Sequence, residues 1–275
     1  MRITLRATRE GVPPLSGLLA RVAEHRNENA RATPLDLPGA TEYARRFQTI
    51  PGWFLRTDLR LFDFVLARQL RGGITGDILE IGCYQGKSAI LLGYGLRDGD
   101  TLTVCDLFGS EPAGVPTEGM DAYDDLTVER FTEHYARFHS HAPEVQICAS
   151  SELAQRTTGR HFRFIHVDGS HAYECASGDI QTAAEHLSQR GVIVVDDYRS
   201  AHTPGVAAAT WQAAAAGLIY PFCISRTKLY AAGTRDDQDW WSSYCRELGE
   251  PGSSWQSEVH SVFGLELVRL QYGPR

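Results

Sequence analysis

Five carboxylates and one histidine stand where this sequence can bring them to one place: Glu80, Asp106, Asp168 and the pair Asp196-Asp197, with His171 three residues beyond Asp168. Each acid lies at or just past the end of a short apolar run. Parallel strands joined by helices carry their carboxyl ends on one edge of a sheet, so these acids should gather beside the crevice where ligands bind. The first run continues into Gly82-Cys-Tyr-Gln-Gly86 and then a helix-like segment. Glycines there let the main chain turn tightly and approach a nucleotide-like ligand, with an acid waiting for its hydroxyls. Taken singly, each feature has an ordinary explanation. Two glycines after a strand occur in many turns, Asp168-Gly169 is a turn dipeptide, His171 suits a helix start, and Asp196-Asp197 suits a loop cap. Their joint occurrence at successive strand ends carries the chemical reading.

The elements that must position these residues follow from periodicity. Strands are predicted at Asp77–Ile81, Thr101–Asp106, Glu144–Cys148, Phe162–Asp168 and Val192–Asp196, the last with no alternation, as in a strand covered on both faces. Helices are predicted at Asp58–Leu70, Lys87–Leu96, Leu126–Phe138, Ser151–Arg156, Ala172–Gln189 and Gly205–Ala216, followed by a hairpin of Leu218–Ile224 and Lys228–Ala232. The expected fold is α/β: a doubly wound, mostly parallel seven-stranded sheet with an antiparallel terminal hairpin, plus N- and C-terminal extensions. Residues 1–57 read as an N-terminal arm with one short helix near Ser16–Asn27, 58–233 as the core and 234–275 as an extension packed on it. Within that extension Val262–Leu270 should dock as a helix or strand. The Gly- and Pro-rich stretch Leu107–Asp125 reads as a mobile lid.

Composition excludes several classes. A net charge of −7 offers no basic stripe for nucleic acid, and no apolar run is long enough to span a membrane. The start of the chain lacks the apolar core of a signal peptide, and six scattered cysteines lack any Cys-x-x-Cys pair, so a reduced cytoplasmic setting is expected. Lys87 and Lys228 are the only lysines. His166, two residues deeper than Asp168 on the same strand, reads as a satisfied core histidine, and His134, His139 and His141 as surface residues. Trp53, Trp240 and Trp241 read as core or interface, and Tyr198, Arg199 and His202 as either pocket lining or loop packing.

Together these residues resemble the class I S-adenosylmethionine-dependent methyltransferases, over roughly Gly76 to Gly233. That family ends its first strand in E-x-G-x-G-x-G; here Glu80, Gly82 and Gly86 match, while Tyr84 stands at the middle glycine. The same departure is found in the macrocin- and mycinamicin-type sugar O-methyltransferases, which the chain is similar to, and it also looks like the actinobacterial enzymes of methylated mannose polysaccharides. The resemblance implies a cofactor site of Glu80, Gly82, Tyr84, Gly86 and Ser88, with Asp106 on the ribose hydroxyls and Ser150 and Ser151 near adenine, a slot that often holds an acid. It further implies that Asp168, Asp196 and Asp197 bind Mg2+, or Mn2+, and that His171 is the general base.

The residues support this independently. Converging carboxylates repel unless a cation or shared protons neutralise them, and all-oxygen ligation suits magnesium or manganese. A coordinated hydroxyl loses its proton more readily, and a neutral imidazole can accept it. The expected activity is metal-dependent methyl transfer to a sugar hydroxyl of a glycoside, oligosaccharide or glycosylated natural product, by a homodimer. Three alternatives remain at this stage. One is a methyltransferase of phenols or catechols. Another, a non-catalytic binder on the same fold, would have no use for three acids and His171. The third, an NAD-dependent dehydrogenase, would need G-x-G-x-x-G, which Gly82–Gly86 lacks.

Overall fold

The computed structural model describes residues 34–110 and 126–273; the predicted helix at Ser16–Asn27 and most of the 107–125 stretch lie outside the described residues. The strands are β1 (Asp77–Ile81), β2 (Leu102–Asp106), β3 (Glu144–Ile147), β4 (Phe162–Val167), β5 (Leu187–Val195), β6 (Tyr220–Ile224), β7 (Leu229–Ala232), β8 (Trp255–Val262) and β9 (Leu265–Tyr272). The helices are α1 (Ala40–Arg46), α2 (Arg56–Arg71), α3 (Lys87–Gly93), α4 (Val128–Ala136), α5 (Leu153–Arg156), α6 (Tyr173–His186), α7 (Pro204–Ala215) and α8 (Arg235–Leu248). They build one sheet in the order β3-β2-β1-β4-β5-β7-β6-β9-β8. Strands β1 to β5 pair in parallel, and β7 runs antiparallel to both β5 and β6.

The sheet is doubly wound because its central strands are apolar on both faces. In β5, Val192 and Val194 enter the core layer that includes Phe62 of α2, while Ile193 and Val195 enter the layer that includes Ile180 of α6. Consecutive residues of a strand point to opposite faces, so a run without alternation must be covered twice.

Two expectations need correction. Among the described residues the sheet has nine strands, not seven, because the tail forms a hairpin, β8–β9, and β9 pairs in parallel with β6. Ahead of it, α8 buries Trp241 against Phe222, ring centroids 5.7 Å apart, and this anchors the tail on the core. The predicted helix through Gln189 instead stops at His186, where Leu187 turns extended and pairs with Phe162 of β4. The polar Ser188-Gln-Arg190 run falls in an irregularity of that pairing, between Leu187↔Phe162 and Val192↔Phe164, which side-chain periodicity does not mark.

The two edges of the sheet differ in chemistry. At the amino ends, Arg163 is fully buried and bonded to Asp100 and Gln69, and Arg160 bridges Asp77 and Glu144. Those charges are closed into structural pairs. Registers Ile81↔Cys105, Ile81↔Val167 and Val167↔Val195 align the carboxyl ends of β1, β2, β4 and β5, which sets Asp106, Asp168 and Asp196 along the opposite edge.

Candidate active site

The turn after β1 is shaped by close approach. Gly82 adopts φ 80°, and a Cβ there would lie 1.9 Å from the Asp168 carbonyl oxygen, so only glycine lets this turn rest against the end of β4. Tyr84, at the middle glycine of the family pattern, also adopts a left-handed backbone, φ 47°. A non-glycine residue pays some strain there, which explains why glycine is the common solution. Its ring packs at 5.3 Å on Trp53, which is 70% exposed and so, of the two expected places, core or interface, is not in the core.

Asp106 holds this turn directly. One carboxylate oxygen accepts from the Cys83 and Tyr84 amides at 2.8 and 2.9 Å, and the other from the Phe108 amide at 3.0 Å. Glu80 is fully buried: its Oε1 accepts from His166 at 2.7 Å, while Oε2 has no well-formed hydrogen bond. Burial raises its pKa to about 8, against the pull of the Ser88 hydroxyl and the Lys228 charge. Ser150 is engaged with the buried Asp179 carboxyl, and Ser151 is exposed. The buried, unsatisfied oxygen of Glu80 beside a glycine turn fits the polar end of S-adenosylmethionine, and Glu80, Gly82, Tyr84, Gly86, Ser88 and Asp106 could hold it.

Asp168, Asp196, Asp197 and His171 line one cavity of about 10 Å3, room for a single water-sized occupant. Their donor atoms fall into two groups: Asp168 and Asp196 with His166, and Asp197 with His171 and His202. Burial and the neighbouring Asp196 charge push the Asp168 carboxyl well above the usual range, so this corner is short of positive charge. His171 Nε2 lies 3.4 Å from Asp197 Oδ2, and this contact is the main reason Asp197 titrates below its ordinary value. Asp197 therefore orients His171, and Ser200 donates to the other Asp197 oxygen at 2.5 Å.

Lys228 is the functional residue that sequence reasoning missed. It is 1% exposed; its ammonium pairs with Asp196 and donates to His166 Nε2 at 3.0 Å. Since Nε2 accepts, the His166 proton is on Nδ1 and is donated to Glu80. A continuous buried chain, Asp196–Lys228–His166–Glu80, thus joins the acid cluster to the end of β1. Burial disfavours charge on both Lys228 and His166, but Asp196 and Asp168 keep the lysine charged with a raised pKa, while the histidine is driven well below its ordinary value and stays neutral. The carboxylate count now closes. With all three aspartates ionised, the one ammonium leaves two negative charges, which a small divalent cation with a preference for oxygen would neutralise; without such a cation the raised Asp168 carboxyl relieves the repulsion by keeping its proton.

Among the histidines, His166 is the satisfied core residue expected. Of the three expected on the surface, His134 is instead buried and donates to the Gln85 carbonyl at 3.1 Å, His139 is half-buried and donates to that of Ile90 at 2.7 Å, and His141 is exposed. Tyr198 is buried against Trp211, so it packs the loop, whereas Arg199 and His202 remain exposed.

A sheet of this order, with a glycine turn after β1 and acids along the carboxyl edge, is the Rossmann-like fold of the class I S-adenosylmethionine-dependent methyltransferases. Residues 79–198 match the family described as Methyltransferase domain. Among solved structures the chain is similar to the O-methyltransferase NovP, at 19% identity over 65% of this chain and 80% of that one, with a TM-score of 0.54. It is also similar to CalS11, a calicheamicin methyltransferase, at 14% identity over 84% and 98%, TM-score 0.50. A protein of Corynebacterium glutamicum is similar at 14% identity over 78% and 97%, TM-score 0.50.

Proposed function

We propose that this enzyme moves a methyl group from S-adenosylmethionine to a sugar hydroxyl, with a magnesium-class ion held by Asp168, Asp196 and Asp197. The observation that carries the reading is the single-occupant cavity walled by these three acids and His171, directly against the cofactor turn. NovP is an O-methyltransferase, and CalS11 is described as a TDP-rhamnose 3'-O-methyltransferase, which agrees with transfer to a sugar oxygen.

The cofactor supplies an electrophilic methyl on a sulfonium, and a bound divalent cation lowers the pKa of a coordinated hydroxyl. The residues of the chain do the rest. Gly82 brings the cofactor turn against β4, so that the methyl donor and the acid cluster face one another. Asp197 fixes the His171 ring, and His171 accepts the hydroxyl proton as the oxygen gains the methyl and the sulfur leaves as a neutral thioether. Lys228 holds Asp196 and lowers the repulsion among the acids. Transfer of this kind depends mainly on positioning, so these fixed contacts are where the rate comes from.

The test is a methyl-transfer assay with labelled S-adenosylmethionine across glycosides, oligosaccharides and catechols, with magnesium and with chelator. A product on a sugar oxygen, lost in chelator, is expected. Transfer to catechols alone would move the reading to phenolic acceptors.

A further inference from the structure

Near the acid cluster, the same sheet edge carries a second cavity, of about 470 Å3, within the usual range of ligand pockets. Its charge is opposite. Arg56, Arg199, Arg226 and Arg269 line it together with Leu55 and Thr57, and no acid is in the lining. The four arginines come from four places in the fold. Arg56 opens α2, and Arg199 follows Asp197 by two residues. Arg226 lies in the β6–β7 turn, two residues before Lys228, and Arg269 pairs with Ile224 across β9 and β6. Glu258 offsets Arg269 at 3.0 Å, which still leaves a concentration of positive charge in a chain whose net charge is −7.

A second feature points the same way. The N-cap of α2, Leu55, offers no side-chain cap, and Leu55, Arg56 and Thr57 all face this cavity, so the positive end of a sixteen-residue helix opens into it. A helix N-terminus and several guanidinium groups around one space make a receptor for an anion with many oxygens. Guanidinium forks match phosphate oxygens two at a time, which a lone carboxylate would exploit less fully.

We propose that this cavity binds a phosphoryl group of the acceptor, so that the sugar presented for methylation is a sugar phosphate or a nucleoside-diphosphate sugar. The proposal rests on the sugar O-methyltransferase reading and names its substrate class. Arg199 and Arg226 are near neighbours in the chain of Asp197 and Lys228, so an anchored phosphoryl group leaves the attached sugar close to the acids.

Titration calorimetry on the full chain, saturated with adenosylhomocysteine and in chelator, tests this with inorganic pyrophosphate, uridine diphosphate and sulfate. Pyrophosphate should bind about tenfold or more tighter than sulfate, and the double variant R199A/R226A should lose about tenfold or more in pyrophosphate affinity. Uridine diphosphate binding tighter than pyrophosphate supports a nucleoside-diphosphate sugar, and equal binding supports a sugar phosphate. Pyrophosphate no tighter than sulfate, or unchanged in the double variant, would overturn the proposal. Failure to bind adenosylhomocysteine at all would instead overturn the methyltransferase reading beneath it.

Discussion

At the scale of single residues, the proposed reaction gives two groups distinct duties. In it His171 takes the proton, and its replacement by alanine should lower turnover by about 10²–10⁴ while leaving adenosylhomocysteine affinity nearly unchanged. Wild-type turnover in that variant would remove His171 from the proton path. Lys228 has the other duty, to balance charge. Lys228→Met should destabilise the fold by ~3–5 kcal/mol, the usual cost of leaving a buried carboxylate unpaired. With one positive charge gone from beside Asp196, the same variant should bind magnesium more tightly. Urea unfolding and magnesium titration check both, and weaker magnesium binding would contradict the charge count. The acids and His171 were legible in the sequence because each follows an apolar run. Lys228 was not, because it stands 32 residues from Asp196 and meets it only through the hairpin.

At the scale of elements, that hairpin is the lesson. β7 is antiparallel to β5, with Val195 opposite Leu229, so the residue before β7 must land beside the residue after β5. The antiparallel hairpin and the rarity of lysine were both visible in the sequence; put together, they would have placed Lys228 at Asp196. The β8–β9 hairpin was less accessible, since β8 is mostly exposed and carries no apolar pattern to mark a strand. The turn after β1 was readable from its glycines, but not the reason Gly82 is required, which is contact with β4. Gly82→Ala should force that turn away from Asp168, with a loss of adenosylhomocysteine affinity of about tenfold or more and a lower Tm. Unchanged affinity would mean the turn is not part of the cofactor site.

At the scale of the whole molecule, the amino edge of the sheet neutralises its charges internally, whereas the carboxyl edge keeps acids and arginines apart in two cavities. Concentrating buried acids should reduce stability in a defined pH window. Glu80, held at about 8 in the fold against an ordinary 4.5, favours folding while protonated, and that contribution is lost as pH rises through 8. Buried His166 works the other way, and its penalty is confined to pH below its ordinary 6.5. In chelator, the urea midpoint should therefore fall between pH 6.5 and 8, and Glu80→Gln should flatten the slope. A midpoint that rises over that range would contradict the assignment.

The central claim is methyl transfer to a sugar oxygen, assisted by a divalent cation at the three aspartates. Its most direct measurement is turnover with labelled S-adenosylmethionine and a sugar acceptor in chelator, before and after magnesium is restored, for the wild type and for Asp168→Asn, a substitution that keeps the shape but removes the charge. Labelled sugar ether is expected only with magnesium and the intact aspartate, with adenosylhomocysteine binding retained throughout. Full turnover by the wild type after exhaustive removal of metal would contradict the claim.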